Sequence, residues 1–399
     1  MFRFIHSSDI HLDSPLRGLI RFEDAPVERI QSATREAFKN LIQLALDEKV
    51  AFLLIAGDLW DCDWLDAGPG LFFIQQAARL AKANIHVYIV KGNHDAVSRL
   101  TTEIRNWGSN VHIFDCKKPH TIELKDLDVA IHGQSYAQQH VLENLSANYP
   151  KPVTGAFNIG MLHTCVEDGS AEYSPCAIDN LVASGYDYWA LGHIHQRMDM
   201  SRNNVHVSFP GNPQGRSMRE TGPKGCTLVT VADDHSFTCK FEPLDVVRWQ
   251  ELAIAATDEN VETEFRRALE IPVIQAEGRL LAVRVLITGF LKSNQELRDR
   301  LNAVAVELGN VWIETVRITR PSHSVGSAES LPRGLSLENE IQEVLASMDS
   351  DDGSEKQWIA EFSEVRARLT GDLLNGAAVD AMNDPQAFRA MVSQVAGQL

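Results

Sequence analysis

Ile85-His86-Val87-Tyr88-Ile89-Val90-Lys91-Gly92-Asn93-His94-Asp95 is a strand that ends in chemistry. The apolar, largely β-branched run to Val90 has the length of a buried strand. Gly92 stops it, and three side chains that can bind a cation or carry a proton follow at once. The same arrangement recurs along the chain. Met1-Phe2-Arg3-Phe4-Ile5 leads to Asp9-Ile10-His11, and the run from Ala51 to Ile55 ends in Gly57-Asp58-Leu59-Trp60-Asp61. Asn158 to Leu162 ends at His163, and Tyr186 to Leu191 ends in Gly192-His193-Ile194-His195. Short loops at strand C-termini are where α/β folds build their sites. Carboxylate, imidazole and amide donors together are what two adjacent divalent cations need in order to hold a phosphate ester.

Between the first two runs, Ile30, Ala37, Leu41 and Leu44 follow helical spacing, which predicts a helix from Val27 to Glu48. Residues 1–245 therefore alternate strands with helices, with short strands and a second sheet or sheet edge expected from Asn204 to Leu244. A separate small α+β unit is expected over 246–320. Val247 to Ala255 reads as a strand and Asp258 to Leu269 as a helix. Leu281, Val283, Val285 and Ile287 alternate as a half-buried strand, and a helix to Leu308 and a strand from Val311 to Thr319 complete the unit. That order suggests a split βαβ arrangement. Residues 321–336 are polar, with Ser, Gly and Pro, and read as a linker. Residues 337–399 carry amphipathic helical patches that would dock a partner or pack on the protein itself.

At 399 residues the chain exceeds one ordinary core. No apolar run approaches the ~18 residues of a membrane span, and the N-terminus lacks a signal-peptide pattern, so a cytoplasmic protein is expected. Six scattered cysteines without a Cys-x-x-Cys pair argue against disulfides and thiolate zinc. The net charge of −17 is unusual for an enzyme of nucleic acids. Five Lys/Arg against thirteen Asp/Glu from Pro321 onward put −8 in the tail and leave −9 for the rest, where two dications would offset part of the excess.

Taken in order, Asp-x-His, Gly-Asp-x-x-Asp, Gly-Asn-His-Asp, His and Gly-His-x-His resemble the calcineurin-like metallophosphoesterase superfamily. The resemblance implies an α/β fold, a four-layer αββα sandwich followed by a small α+β capping domain and a helical tail. It implies that Asp9, His11 and His195 bind one divalent metal ion and Asn93, His163 and His193 a second, with Asp58 bridging both. Manganese is the metal implied, with iron, zinc or magnesium as alternatives. His94 would assist the leaving group, and Asp61 would orient His94 or simply cap the next helix. Asp61-Cys62-Asp63 and Asp95 stand where serine/threonine phosphatases usually have Arg-Gly and Glu. His11-Leu12-Asp13-Ser14-Pro15 and the loop from Pro210 to Cys226 are similar to bacterial DNA-repair exonucleases of the SbcD and YhaO type. In that loop Arg216, Arg219 and Lys224 would hold DNA phosphates, or stand as exposed basic residues on a structural turn.

The function so implied is a two-metal phosphodiesterase acting on DNA, a 3′ to 5′ exonuclease in repair, with hydroxide attack on the phosphodiester. A coiled-coil ATPase subunit and a homodimer are the implied protein partners, and no membrane is involved. Two rivals remain at this level. One is a phosphodiesterase or phosphatase for cyclic nucleotides or another small ester, which the acidic charge favours. The other is an inactive scaffold, against which the complete ligand set counts.

Overall fold

The computed structural model describes residues 1–14, 26–61, 68–98, 104, 106–167, 172–289 and 294–319. All fall within the first of two units into which the chain divides, Met1–Pro321 and Ser322–Leu399. The linker and helical tail expected over 321–399 lie outside the described residues.

Strands β1 (Phe2–Ser7), β2 (Phe52–Ala56), β3 (His86–Val90) and β4 (Val111–Ile113) run parallel as neighbours. A second sheet holds β5 (His120–Leu124), β6 (Val129–Gly133), β7 (Phe157–His163), β8 (Tyr188–Gly192), β9 (Met198–Asp199) and β10 (His206–Phe209), in the order β5-β6-β7-β8-β10-β9. The chain then returns to the first sheet through β11 (Gly225–Val231) and β12 (Phe237–Pro243), which add to β1 antiparallel to give β12-β11-β1-β2-β3-β4. The strands expected between Asn204 and Leu244 are thus divided between the two sheets.

The sheets face each other across an aromatic core. Phe4 stacks on Phe52 with ring centroids 5.1 Å apart, and Tyr188 of the opposite sheet meets Phe4 edge-on at 5.4 Å. Phe157, Ile159, Met161, Val229 and Val231 fill the same layer. On the outer face of the first sheet lie α1 (Val27–Gln31), α2 (Ala33–Asp47) and α3 (Gly68–Lys82), whose Phe38, Leu41, Phe73 and Leu80 pack on Leu53, Ile55 and Val87. The single helix expected from Val27 to Glu48 turns at Ser32, where the hydroxyl donates to the Glu28 carbonyl. The short helices α4 (Asn93–Val97) and α5 (Ile178–Ala183) follow β3 and precede β8, and Ile178 and Leu181 cover Trp189 and Leu191 on the outer face of the second sheet. The result is an αββα sandwich.

Beyond β12 come β13 (Val247–Ala255), α6 (Val261–Ala276), β14 (Leu280–Thr288), α7 (Asn294–Leu308) and β15 (Val311–Thr319). The three strands are parallel and stand in chain order, so the arrangement is a plain βαβαβ rather than the split form expected. Leu281, Val283, Val285 and Ile287 face the two helices. The opposite face presents Val247, Trp249, Leu280, Ala282 and Trp312 to Ile30 and Ala33, which joins this unit to the sandwich. Helix α6 runs past the expected end at Leu269 to Ala276, with Pro272 inside it.

Candidate metal centre

The two parallel strand sets end at the same edge of the sandwich, and their loops meet there. Asp9 and His11 follow β1, Asp58 follows β2, and Asn93 and His94 open α4 after β3. His163 is the last residue of β7, and His193 and His195 follow β8. The chain turns sharply to present them. Asp9, His11, Asp58 and His193 have φ of 51°, 47°, 50° and 106°, a region that L-residues avoid and that clusters at functional sites. Gly92 permits a close approach. A Cβ there would lie 2.2 Å from Asp58 Oδ1 and 2.7 Å from His163 Cε1.

Among the described residues, three trios bring donor atoms within 4.8 Å of one another. They are Asp9, His11 and His195; Asp9, Asp58 and His163; and His11, Asp58 and His94. Asn93 joins the second, with its Oδ1 3.0 Å from His163 Nε2, while Asp58 Oδ2 lies 3.5 Å from that nitrogen. His193 lies in none of the trios. Its ring rests against His163, centroids 5.1 Å apart, and against Tyr173, while its backbone N–H donates to both Asp9 oxygens at 3.0 Å.

The donor set fits divalent cations, and proton placement shows why. His163 Nδ1 donates to the Ala56 carbonyl at 3.0 Å, and burial lowers its pKa, so its neutral Nε2 points a lone pair at two oxygens. His11 Nδ1 lies 2.8 Å from the Asp61 carboxylate, and His195 Nδ1 donates to Glu220 at 2.6 Å. Their Nε2 atoms then face each other at 3.1 Å. Acceptor against acceptor is satisfied by a proton or a metal ion. Burial holds His11 and His193 down to about 3, which favours the neutral, ligating form. At His195 burial is outweighed by Glu220 and Asp9, and its pKa is raised. Asp58 is pushed well above the usual carboxylate range by burial and by the nearby Asp95 and Asp9 carboxylates. A cation among these groups relieves that crowding.

His94 is the open member of the cluster, with 38 % of its side chain exposed. Asp61 does hold its Nδ1, but through the backbone carbonyl, 2.6 Å away, while the Asp61 carboxylate is 3.7 Å from it. That carboxylate serves His11, Ser14 and Arg216 instead. Burial alone would raise the Asp61 carboxyl, yet His11 and Arg216 hold it far below its ordinary value. Asp95 ties two loops together by accepting from the N–H groups of Trp60 and Gly92.

The basic loop departs from expectation. Lys224 is buried, and its ammonium donates to the His195 carbonyl at 2.8 Å, so it is not a surface contact for DNA. Arg216 is turned inward, and only Arg219 is exposed. Glu220, which sequence reading passed over, is the principal partner of His195. The signal available for it was only its place in a Gly- and Pro-rich loop already under suspicion.

Residues 2–197 match the calcineurin-like phosphoesterase family. The uncharacterized metallophosphoesterase YhaO of Bacillus subtilis (strain 168) is 35% identical over 293 residues, 72% of this chain and 71% of that protein. The DNA double-strand break repair protein Mre11 of Methanopyrus kandleri is 22% identical over 331 residues, covering 77% of this chain and 68% of its own. A subunit of the nuclease SbcCD of Escherichia coli (strain K12) is 23% identical over 273 residues, 58% of this chain and 65% of that one. No described helix is long and apolar enough to cross a membrane.

Proposed function

The chain belongs to the calcineurin-like phosphoesterase family and is a metal-dependent hydrolase of ester bonds, and from that premise we propose that it cuts the phosphodiesters of DNA as a 3′ to 5′ exonuclease in repair. The observation that carries the metal chemistry is the pair of opposed Nε2 atoms 3.1 Å apart, each backed by a carboxylate. The relatives named for nuclease action and break repair support DNA as the substrate. Asp9, His11 and His195 would hold one divalent ion and Asn93, His163 and His193 the other, with Asp58 shared. Bound there, manganese ions supply Lewis acidity and positive charge opposite the phosphate.

The side chains divide the remaining work. With Nδ1 anchored on the Asp61 carbonyl, His94 in its imidazolium form offers Nε2–H to the departing sugar oxygen. Arg219 is exposed and would meet a DNA phosphate. We assign 246–320 a capping role and 321–399 the docking of a coiled-coil ATPase subunit. The relative that is itself a nuclease subunit supports a second chain, and self-association through the phosphoesterase domain is part of the same proposal. The five described cysteines are free thiols, in keeping with a cytoplasmic setting.

The test is release of 3′-terminal label from linear DNA by the full chain in manganese. Wild type should degrade it, EDTA should stop it, and His94→Ala should slow it about 10²- to 10⁴-fold while still taking up metal. Equal rates in wild type and His94→Ala would remove His94 from the reaction. Intact DNA beside rapid hydrolysis of bis(p-nitrophenyl) phosphate would move the substrate to a small ester.

A further inference from the structure

The loop after β10 does two things at once. Its inner side closes around His195. The Glu220 carboxylate accepts from His195 Nδ1 at 2.6 Å, Asn212 Nδ2 at 2.9 Å and the Arg216 backbone N–H at 2.7 Å. The Arg216 guanidinium donates to Glu220 Oε1 at 3.4 Å through Nη2 and to Asp61 Oδ1 at 2.9 Å through Nη1. Asp61 is the carboxylate behind His11, and Glu220 the one behind His195. One guanidinium therefore bridges the two carboxylates that back the two facing imidazoles.

The outer side of the loop is fastened to the small α+β unit. Gln214, buried, accepts from the Val246 N–H at 2.8 Å and donates to the Val247 carbonyl at 2.7 Å. Trp249 Nε1 donates to the Gly215 carbonyl at 2.8 Å, and Gly222 N–H donates to the Trp249 carbonyl at 2.9 Å. Only a planar, forked cation reaches both carboxylates, and the start of β13 fixes the backbone from which it reaches.

We propose that Arg216 and Glu220 are positioning residues that set the two histidines, His11 and His195, for one metal ion, and that β13 of the small α+β unit anchors them. Arg216 then belongs to the metal site rather than to the DNA interface. The proposal rests on the ligand assignment above. A backing carboxylate fixes the tautomer and aim of a ligating imidazole, and its loss typically weakens metal binding about 10- to 100-fold.

The experiment is manganese titration of the full chain, with free Mn(II) read by electron paramagnetic resonance, alongside DNA-cleavage kinetics. Wild type should take up two ions. Glu220→Gln should weaken one of them about 10- to 100-fold and leave the other unchanged, a selectivity that general loosening of the fold would not give. Arg216→Lys should resemble it, because one ammonium cannot bridge both carboxylates. Trp249→Phe, which removes only the indole donor, and Gln214→Ala should weaken the same ion by a smaller factor. At saturating manganese the KM for DNA should stay at the wild-type value in Arg216→Lys. Glu220→Gln that binds both ions as wild type does overturns the clamp. So does Arg216→Lys that raises KM and flattens the salt dependence with metal binding intact, which is the mark of a phosphate contact. Trp249→Phe and Gln214→Ala that both bind as wild type remove the anchor. A wild-type chain that binds no manganese overturns the ligand assignment and the clamp with it, a result distinct from the others.

Discussion

Asp58→Asn should cost catalysis about three orders of magnitude or more while making the metal-free protein more stable. The Asp58 carboxyl is buried, faces the Asp9 and Asp95 carboxylates, and has its pKa raised well above 3.8. A carboxyl whose pKa rises on folding opposes the fold once ionised. The penalty is absent below the unfolded pKa, grows as pH climbs toward the folded value, and is constant above it. Stability of the metal-free wild type should therefore fall across that window, and the variant should lose that part of the slope. Asparagine keeps an oxygen for the His94 N–H, which donates to Asp58 Oδ1 at 3.0 Å, and removes the charge. A gain of about 1 kcal/mol would raise Tm by roughly 2 °C. On the proposed ligand assignment the same change would remove the anionic donor shared by both ions, and with it the stabilisation that added manganese would give. Melting curves in EDTA from pH 4 to 9, with and without manganese, check both effects. A variant that melts below wild type at every pH without metal would sink the account of Asp58 as a strained charge.

Gly192→Ala should be the most damaging small change in the sandwich. A Cβ at Gly192 would lie 1.8 Å from the Ala56 carbonyl oxygen, 2.9 Å from its carbon and 3.0 Å from Ser8 Cβ. The obstacle is the backbone of β2 in the opposite sheet, so no rotamer change relieves it. The same carbonyl holds His163 Nδ1 at 3.0 Å, and any displacement frees that imidazole. Overpacking of this kind costs about 3 kcal/mol. Tm should drop by roughly 6 °C. Gly155→Ala is the comparison. A Cβ there meets nothing within 4 Å, and only its φ of 82° opposes the change, so about 1 kcal/mol is expected. Equal losses from the two variants would show that crowding between the sheets is not the cause.

What could be read before folding follows from what is local. A strand that ends in Gly and then in donors declares itself, so Asp9, Asp58, Asn93, His94, His163 and His195 were legible as a set. The strands expected at Val247–Ala255 and Val311–Thr319 have those ends in the structure. Strand order in the small unit was not legible, because alternation gives each strand its faces but not its neighbours. Helix α6 runs on through Pro272 because Val273 and Ala276 continue the spacing of Val261, Phe265 and Leu269 and pack in the same core. Lys224 read as a surface cation because Gly, Pro and Arg surround it. The fold instead ties its carbonyl to the Leu244 and Asp245 N–H groups and turns its ammonium inward to the His195 carbonyl. Glu220 was invisible for a related reason: its partner is 25 residues away in sequence, and only the closed loop brings the two together.

The donors are also divided in a way that reaches beyond turnover. Asp9, His11, Asp58 and Asn93 belong to loops of the first sheet, and His163, His193 and His195 to strand ends of the second. On the proposed ligand assignment, an ion shared between the groups would be a rivet through the seam, and its concentration would become one of the terms that keep the halves closed. Chains made when the metal is scarce would open more often and meet proteases sooner, so nutrition would set how long each molecule survives as well as how fast it works.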